Sequence, residues 1–341
     1  MHLRFPDSRD LVDALLELTI VGSFSRIGSA VRRRLDRWAP PPDDGLAGRT
    51  VLVTGPTSGL GRQVTDELAA LGARIVLVGR NEERLNAVRD ALVARSGIDR
   101  YPVIVADMGS LASVRAAADQ VLATESRLDV LIDNAGAIFP DRTIGPDGIE
   151  ATLATLVVGP FALIRDLLPL LDRTAGSRVI AVTSGGQYAQ ALDLDDLQSS
   201  RTPYDGTRAY ARAKRAQVSL IREWARRFGG AGIQFYSMHP GWARTPGLVA
   251  ALPLFARLMG PLLRTPAEGT DTLVWLATAT VDKTDAAGGA LWLDRRTRPF
   301  DRLPTTRLSR LDRHRLWDLV VALAGVADHR PTRPRTSWSH R

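Results

Sequence analysis

Cysteine is absent from the 341 residues, which excludes a disulfide framework, a thiol nucleophile and any cysteine-ligated metal. Such a chain suits a reducing, intracellular setting, and a cytoplasmic protein is expected. Lysine is nearly as scarce. Of 45 basic residues only Lys214 and Lys283 are lysine, leaving 43 arginines, so a retained lysine draws notice. The five histidines (His2, His239, His314, His329, His340) lack ligand spacing, and no metal is expected. Uninterrupted apolar runs are missing too. The first ten residues carry Asp7 and Asp10, the run from Leu11 is broken by Asp13 and Glu17, and residues 247–263 contain Pro253, Arg257 and Pro261. Neither a signal peptide nor a membrane span is expected. The net charge of +8 comes from arginines dispersed among 37 acids, not from one block with interleaved aromatics, so nucleic acid is not an expected partner.

Against these absences stands residues 51–62, V-L-V-T-G-P-T-S-G-L-G-R. Three apolar residues read as a buried strand, Thr54 and Gly55 open a turn, and Gly59 and Gly61 frame the start of a helix. Such a turn aims unpaired helix N–H groups and the positive end of the helix dipole at one spot, which attracts phosphate. Glycine is required because a Cβ would hold a diphosphate away from the backbone.

From Thr50 the pattern alternates. Strands are expected at 51–54, 74–79, 102–106, 128–133, 177–183, 232–237 and 289–293, with helices at 60–72, 81–95, 110–126, 147–172, 207–229 and 266–280. Near-continuous Val/Ile/Leu strands alternating with amphipathic helices imply a seven-stranded, mostly parallel sheet covered on both faces: a three-layer α/β/α, doubly wound Rossmann fold in a single domain. That domain is placed at residues 48–300, after an N-terminal helical extension (1–47) and before a C-terminal helix and basic disordered tail (301–341). Residues 1–40 carry Leu11, Leu15, Leu18, Ile20, Val21 and Ile27 beside Arg32-Arg33-Arg34. A helix docked on the domain's own surface is favoured there over peripheral membrane contact, because Asp10, Asp13 and Glu17 weaken the cationic pattern.

The second strand ends Val78-Gly79-Arg80, with no acid to bond ribose hydroxyls, and arginine suits a 2′-phosphate. NADP(H) is therefore favoured over NAD. Asp107, ending the third strand, is placed to meet the adenine edge, and Asn134-Ala135-Gly136 follows the fourth. In Y-A-R-A-K, Tyr210 and Lys214 share one helix face, so a cation beside the phenol is expected to lower its pKa and make proton transfer useful. Ser184, at the end of the fifth strand, is expected to meet them at the cofactor. It lacks the G-x-S-x-G elbow of a hydrolase.

In order and spacing, Thr54-Gly55-x-x-x-Gly59-x-Gly61, Asp107, Asn134-Ala135-Gly136, Ser184, Tyr210-x-x-x-Lys214 and His239-Pro240-Gly241 through Thr245 resemble the short-chain dehydrogenase/reductase family over roughly residues 48–300. The resemblance implies an NADP(H)-dependent oxidoreductase interconverting a lipophilic alcohol and its carbonyl. Tyr210 would be the acid/base, Lys214 would tune it and bond the nicotinamide ribose, Ser184 would polarise the carbonyl and Thr245 would hold the carboxamide. The cofactor would also touch Thr57, Ser58, Leu60, Met108, Pro240 and Gly241. Residues 248–263 fall where the family usually carries a substrate-covering lid, with Trp242 lining the same pocket. A homo-oligomer is compatible with this reading. One departure supports a second one, a weak or inactive NADP(H)-binding scaffold or sensor. Leu156 stands where the family usually has an asparagine that supports a water leading to the lysine. Pro160 lacks the N–H that would bond the Leu156 carbonyl, so that oxygen is expected to hold the water instead.

Overall fold

The computed structural model describes residues 8–229, 232–279 and 289–325. The expected tail beyond residue 325, and Lys283, lie outside the described residues. One sheet organises the chain, in the order β3-β2-β1-β4-β5-β6-β7-β8. Its strands are β1 (Thr50–Thr54), β2 (Arg74–Gly79), β3 (Val103–Val105), β4 (Val130–Asp133), β5 (Arg178–Val182), β6 (Gln234–Met238), β7 (Leu291–Leu293) and β8 (Arg296–Arg298). The first seven pair in parallel, and every residue of β1, β4, β5 and β7 is buried, as apolar strands covered on both faces require.

The eighth strand was not expected. It returns antiparallel to β7 through a two-residue turn in which Asp294 and Arg295 both take φ of 55°. Tight hairpins need positive φ at both turn residues, and Asn-Gly is their usual signature. Asp-Arg gives no such signal, and the turn is held by charge instead. Asp294, 1% exposed, takes a two-pronged bond from Arg264 (2.6 and 2.9 Å) and a third from Arg32 (2.6 Å).

Helices α4 (Gly59–Ala70), α5 (Glu82–Ser96), α6 (Leu111–Thr124), α10 (Gly206–Phe228) and α13 (Pro266–Thr278) fall close to the expected stretches. Asn81, Ser110, Asp205 and Thr265 cap their N-termini. The long helix expected at 147–172 is instead broken into α7 (Ala151–Leu153), a π-turn over Ala154–Val158, α8 (Gly159–Asp166) and α9 (Leu168–Arg173), with proline in the first turn of α8 and of α9. After β6 come two short helices, α11 (Pro246–Ala251) and α12 (Pro253–Leu258), neither of which buries a residue. The last helix, α14 (Arg310–Ala324), packs Trp317 within 5 Å of Trp224 and Phe161 (4.7 and 4.9 Å). Among the described residues no helix is long and apolar enough to cross a membrane.

Three helices precede the sheet: α1 (Ser8–Glu17), α2 (Ile20–Phe24) and α3 (Arg26–Leu35). They dock on the domain, as favoured, and α1 does so through its acidic face. No residue of α1 is buried, and Leu11, Leu15 and Leu18 face outward. The acids do the docking: Asp13 bonds Arg32 (2.6 Å) and Arg298 (2.7 Å), and Glu17 bonds Arg32 (2.7 Å) and Arg302. Burial would raise the Asp13 carboxyl, but hydrogen bonds and charge from Arg298 and Arg32 win and lower it to about 2. Ionised Asp13 therefore stabilises docking fully above its unfolded value of 3.8, by on the order of 2 kcal/mol, and that contribution is lost as pH falls through 2. Hydrogen exchange should show residues 8–35 losing protection between about pH 4 and 2, ahead of the sheet. Arg32→Met should cost about 3 kcal/mol at neutral pH by leaving buried carboxylates short of a partner. Equal protection of residues 8–35 in wild type and variant would contradict this.

Candidate active site

The strand order reverses between β1 and β4, and the expected site residues gather above the C-terminal ends of those strands. Thr54 is fully buried, and its hydroxyl accepts the N–H groups of both Asn134 and Ala135 (2.9 Å each). The Asn134 side chain donates back to the carbonyls of Thr54 (3.0 Å) and Gly55 (3.3 Å). These two residues clamp β1 to β4. Gly55 and Gly59 take φ of +68° and +55°, and a Cβ on Gly61 would sit 2.0 Å from the Gly55 carbonyl oxygen, so α4 can start only on glycine. Thr57 is half-buried and Ser58 exposed in the turn, while the Leu60 side chain packs against the core and offers only its backbone. Thr245 caps α11, and its side chain lies 3.4 Å from where a Gly59 Cβ would stand, which brings the loop after β6 over the glycine turn. The glycines thus let backbone pass closely over the N-terminus of α4, and a helix start of this kind attracts phosphate.

At the end of β2, Arg80 is exposed and makes no hydrogen bond or ion pair among the described residues. Asp107 is also exposed, and its carboxylate accepts the Gly109 N–H (2.9 Å). The Met108 side chain is buried in the core, leaving only its backbone to face a ligand.

Ser184 stands near the Tyr210 phenol, close enough to favour its ionised form. The expected pKa effect does not follow. Burial dominates and pushes Tyr210 up to about 12, opposed by Ser184 and not by Lys214. The ammonium, 5.8 Å from the centre of the phenol ring, is turned toward the Val182 carbonyl (2.7 Å) and the Gln217 side-chain oxygen (3.3 Å). Burial also lowers Lys214 to about 8, with the charge of Asp133 opposing it. Leu156 is fully buried beside Gly136, where a Cβ would lie 2.8 Å from its Cδ2 and 3.9 Å from Lys214 Nζ.

Two of these neighbours escaped the sequence reading. Asp133 counted there only as the last residue of a strand, and Gln217 as one residue of a helix; the available signal was a carboxylate ending an apolar strand. Phe24 was missed as well. Its ring fills the space a Cβ would take on Gly185, next to Ser184, and it stacks edge-on against His239 (4.6 Å) and Trp242 (6.1 Å). Its carbonyl accepts the Trp242 N–H (2.8 Å). Trp242 in turn meets Phe255 of α12 at 5.2 Å. Gly241, at φ +68°, passes between Arg264 and the Phe24 carbonyl, where no side chain would fit, and Pro240 beside it is half-buried. His239 is buried among arginines, held well below its usual pKa and therefore neutral, its Nδ1 accepting the Gly241 N–H (3.3 Å).

The short chain dehydrogenase family profile matches residues 49–251. Human dehydrogenase/reductase SDR family member 12 is 38% identical over 243 residues, which cover 71% of this chain and 76% of that protein. Human retinol dehydrogenase 14 is 33% identical over 315 residues, 86% of this chain and 91% of that protein. Among solved structures, a protein from Mycobacterium paratuberculosis aligns with a TM-score of 0.66 at 27% identity, over 85% of this chain and 98% of that one. The matched segment runs from the glycine turn through Ser184, Tyr210 and Lys214 to α11, and the chain belongs to the short-chain dehydrogenase/reductase family.

Proposed function

We propose that this protein is an NADP(H)-dependent reductase of lipophilic carbonyl compounds, carrying out the interconversion of alcohol and carbonyl that its family performs. The observation that carries the reading is the placement of Ser184, at the C-terminal end of β5, beside the Tyr210 phenol, with Lys214 one turn along the same helix. A bound nicotinamide dinucleotide supplies or accepts the hydride. The chain's own work is orientation and proton transfer. With its pKa near 12, Tyr210 stands protonated at neutral pH and is suited to donate to a carbonyl oxygen that Ser184 also bonds. Thr54 and Asn134 hold the groove open, Thr57, Ser58 and the backbone of Leu60 line the diphosphate position, and Thr245 lies over it.

Free, exposed Arg80 and the absence of an acid at the end of β2 support a 2′-phosphate, and Asp107 stands at the adenine side. Lipophilic substrates are supported by Phe24, Trp242 and Phe255 beside Ser184, by the unburied helices α11 and α12, and by the alcohol in the name of retinol dehydrogenase 14. Leu156 against Gly136 favours the second reading, a catalytically weak NADP(H)-binding scaffold. NADPH binding with no oxidation of it across a panel of aldehydes, ketones and sterols would decide for that reading.

Fluorescence titration should give tighter binding of NADPH than of NADH, and Arg80→Gln should weaken NADPH by about tenfold while leaving NADH unchanged. Equal affinity of the wild type for both nucleotides would refute the assignment of Arg80. Tyr210→Phe should lower kcat at least about a hundredfold with NADPH affinity retained. Unchanged turnover there would remove Tyr210 from the chemistry. The outward Leu11, Leu15 and Leu18, and separately the exposed Leu254 and Leu258 on α12, support peripheral contact with a membrane surface. Wild-type protein should float with phosphatidylcholine–phosphatidylserine vesicles, and Leu15→Glu should not; equal flotation of both would exclude α1 as the contact.

A further inference from the structure

The reaction as proposed leaves one buried charge without a task. Asp133 closes β4, a strand otherwise made of Val130, Leu131 and Ile132, and it is 2% exposed. A carboxylate in that setting is costly unless something answers it. Its Oδ2 accepts a hydrogen bond from the Gln217 amide nitrogen, and its Oδ1 has no hydrogen-bond partner among the described residues. The other end of the same amide accepts from Lys214 Nζ (3.3 Å). Because an ammonium only donates and a carboxylate only accepts, the Gln217 side chain can face one way only. Asp133 thus fixes the amide, and the amide together with the Val182 carbonyl (2.7 Å) fixes the ammonium, with Lys214 and Gln217 themselves 2% and 5% exposed.

We propose that Asp133 is a positioning residue for the reaction, acting through Gln217 to hold Lys214 charged and aimed beside Tyr210. The inference rests on the reductase reading and names a residue that acts within it. Lys214 is approached by β4 and the Asn134–Gly136 segment, by β5, by Leu156 of the π-turn and by its own helix; the titratable groups facing it from these elements are Asp133 and Tyr210. Burial raises Asp133 to about 6 and lowers Lys214 to about 8, each opposed by the charge of the other. Between those values both are ionised. Removing the carboxylate leaves burial unopposed at Lys214, so its pKa must fall. Losing the Gln217 donor raises Asp133 further and has the same sign at Lys214.

The scarcity of lysine makes a direct test practical. Protein labelled with 13Cε-lysine has two side-chain signals, and Lys283→Arg assigns them. In wild type the Lys214 signal should titrate near pH 8, and in Asp133→Asn about one unit lower or more. Gln217→Met leaves the carboxylate in place and should shift the signal the same way; it decides the matter if Asp133→Asn does not fold. In parallel, kcat/KM for carbonyl reduction should stay within about twofold of wild type at pH 6 and fall about fivefold at pH 8, following the loss of ammonium. A Lys214 titration unmoved in the folded variants, or a loss of activity equal at both pH values, would overturn the proposal. Wild type that turns over no carbonyl while Lys214 still shifts would sink the reductase reading and leave the link from Asp133 to Lys214 standing.

Discussion

Reversal of strand order forces two neighbouring strands to send their chains off to opposite faces of the sheet, and the gap between them must be held at one width for a ligand to use it. Here the width is set by one hydroxyl and one amide. Thr54 takes two backbone N–H groups from the far side of the gap, and Asn134 returns two bonds to the near side. Gly61 lets α4 start directly against that seam, 2.4 Å from the Asn134 amide for any added Cβ. A valine at position 54 would keep the shape and lose the hydroxyl, leaving two half-buried N–H donors without that partner beside the glycine turn. Everything placed by the ends of β1 and β4, including Asp133 and Gly136, inherits its position from this seam.

Burial, more than pairwise charge, governs the chemistry of the groups behind it. Tyr210, Lys214 and Asp133 are all shifted toward their neutral forms by the same cause. With the phenol raised to about 12, the task of Lys214 in the proposed reading is to stabilise the phenolate as it forms, not to ionise tyrosine in advance. For that task the ammonium must be present when the proton leaves, and a lysine lowered to about 8 is close to losing it. The neighbouring carboxylate matters because the margin is small.

Much of the frame was legible because it rests on periodicity and glycine. Strand 74–79 and the doubly wound order follow from apolar runs broken by turns, and the glycine turn announces its own geometry. The failures have specific physical origins. β8 was missed because its hairpin is held by Arg264 and Arg32 on Asp294, partners distant in sequence, and not by the residues of the turn. The break at 154–158 was missed because a π-turn keeps helical composition. The docked face of α1 is not marked by its apolar periodicity, because buried arginines on β8 and α3 make the acidic side the favourable one. Spacing singles out Ser184, Tyr210 and Lys214 as candidates, but the protonation of Tyr210 and Lys214 is not legible in it, since that depends on how deeply each lies.

The extension is tied to the site by the same charges that dock it. Arg264 bonds Asp294 with one edge and the carbonyls of Ser23 and Phe24 with the other, and Phe24 then places its ring against Gly185 and its carbonyl on the Trp242 N–H. Moving α2 therefore moves a wall that stands one residue from Ser184 and, through Trp242, touches α12. A helix fastened by ion pairs on its polar side and apolar on its outer side can remain docked while that outer side meets a hydrophobic phase, which a helix docked by its apolar side could not do. A chain of contacts therefore runs from α1 through α2 and Phe24 to Trp242 and on to Phe255 of α12.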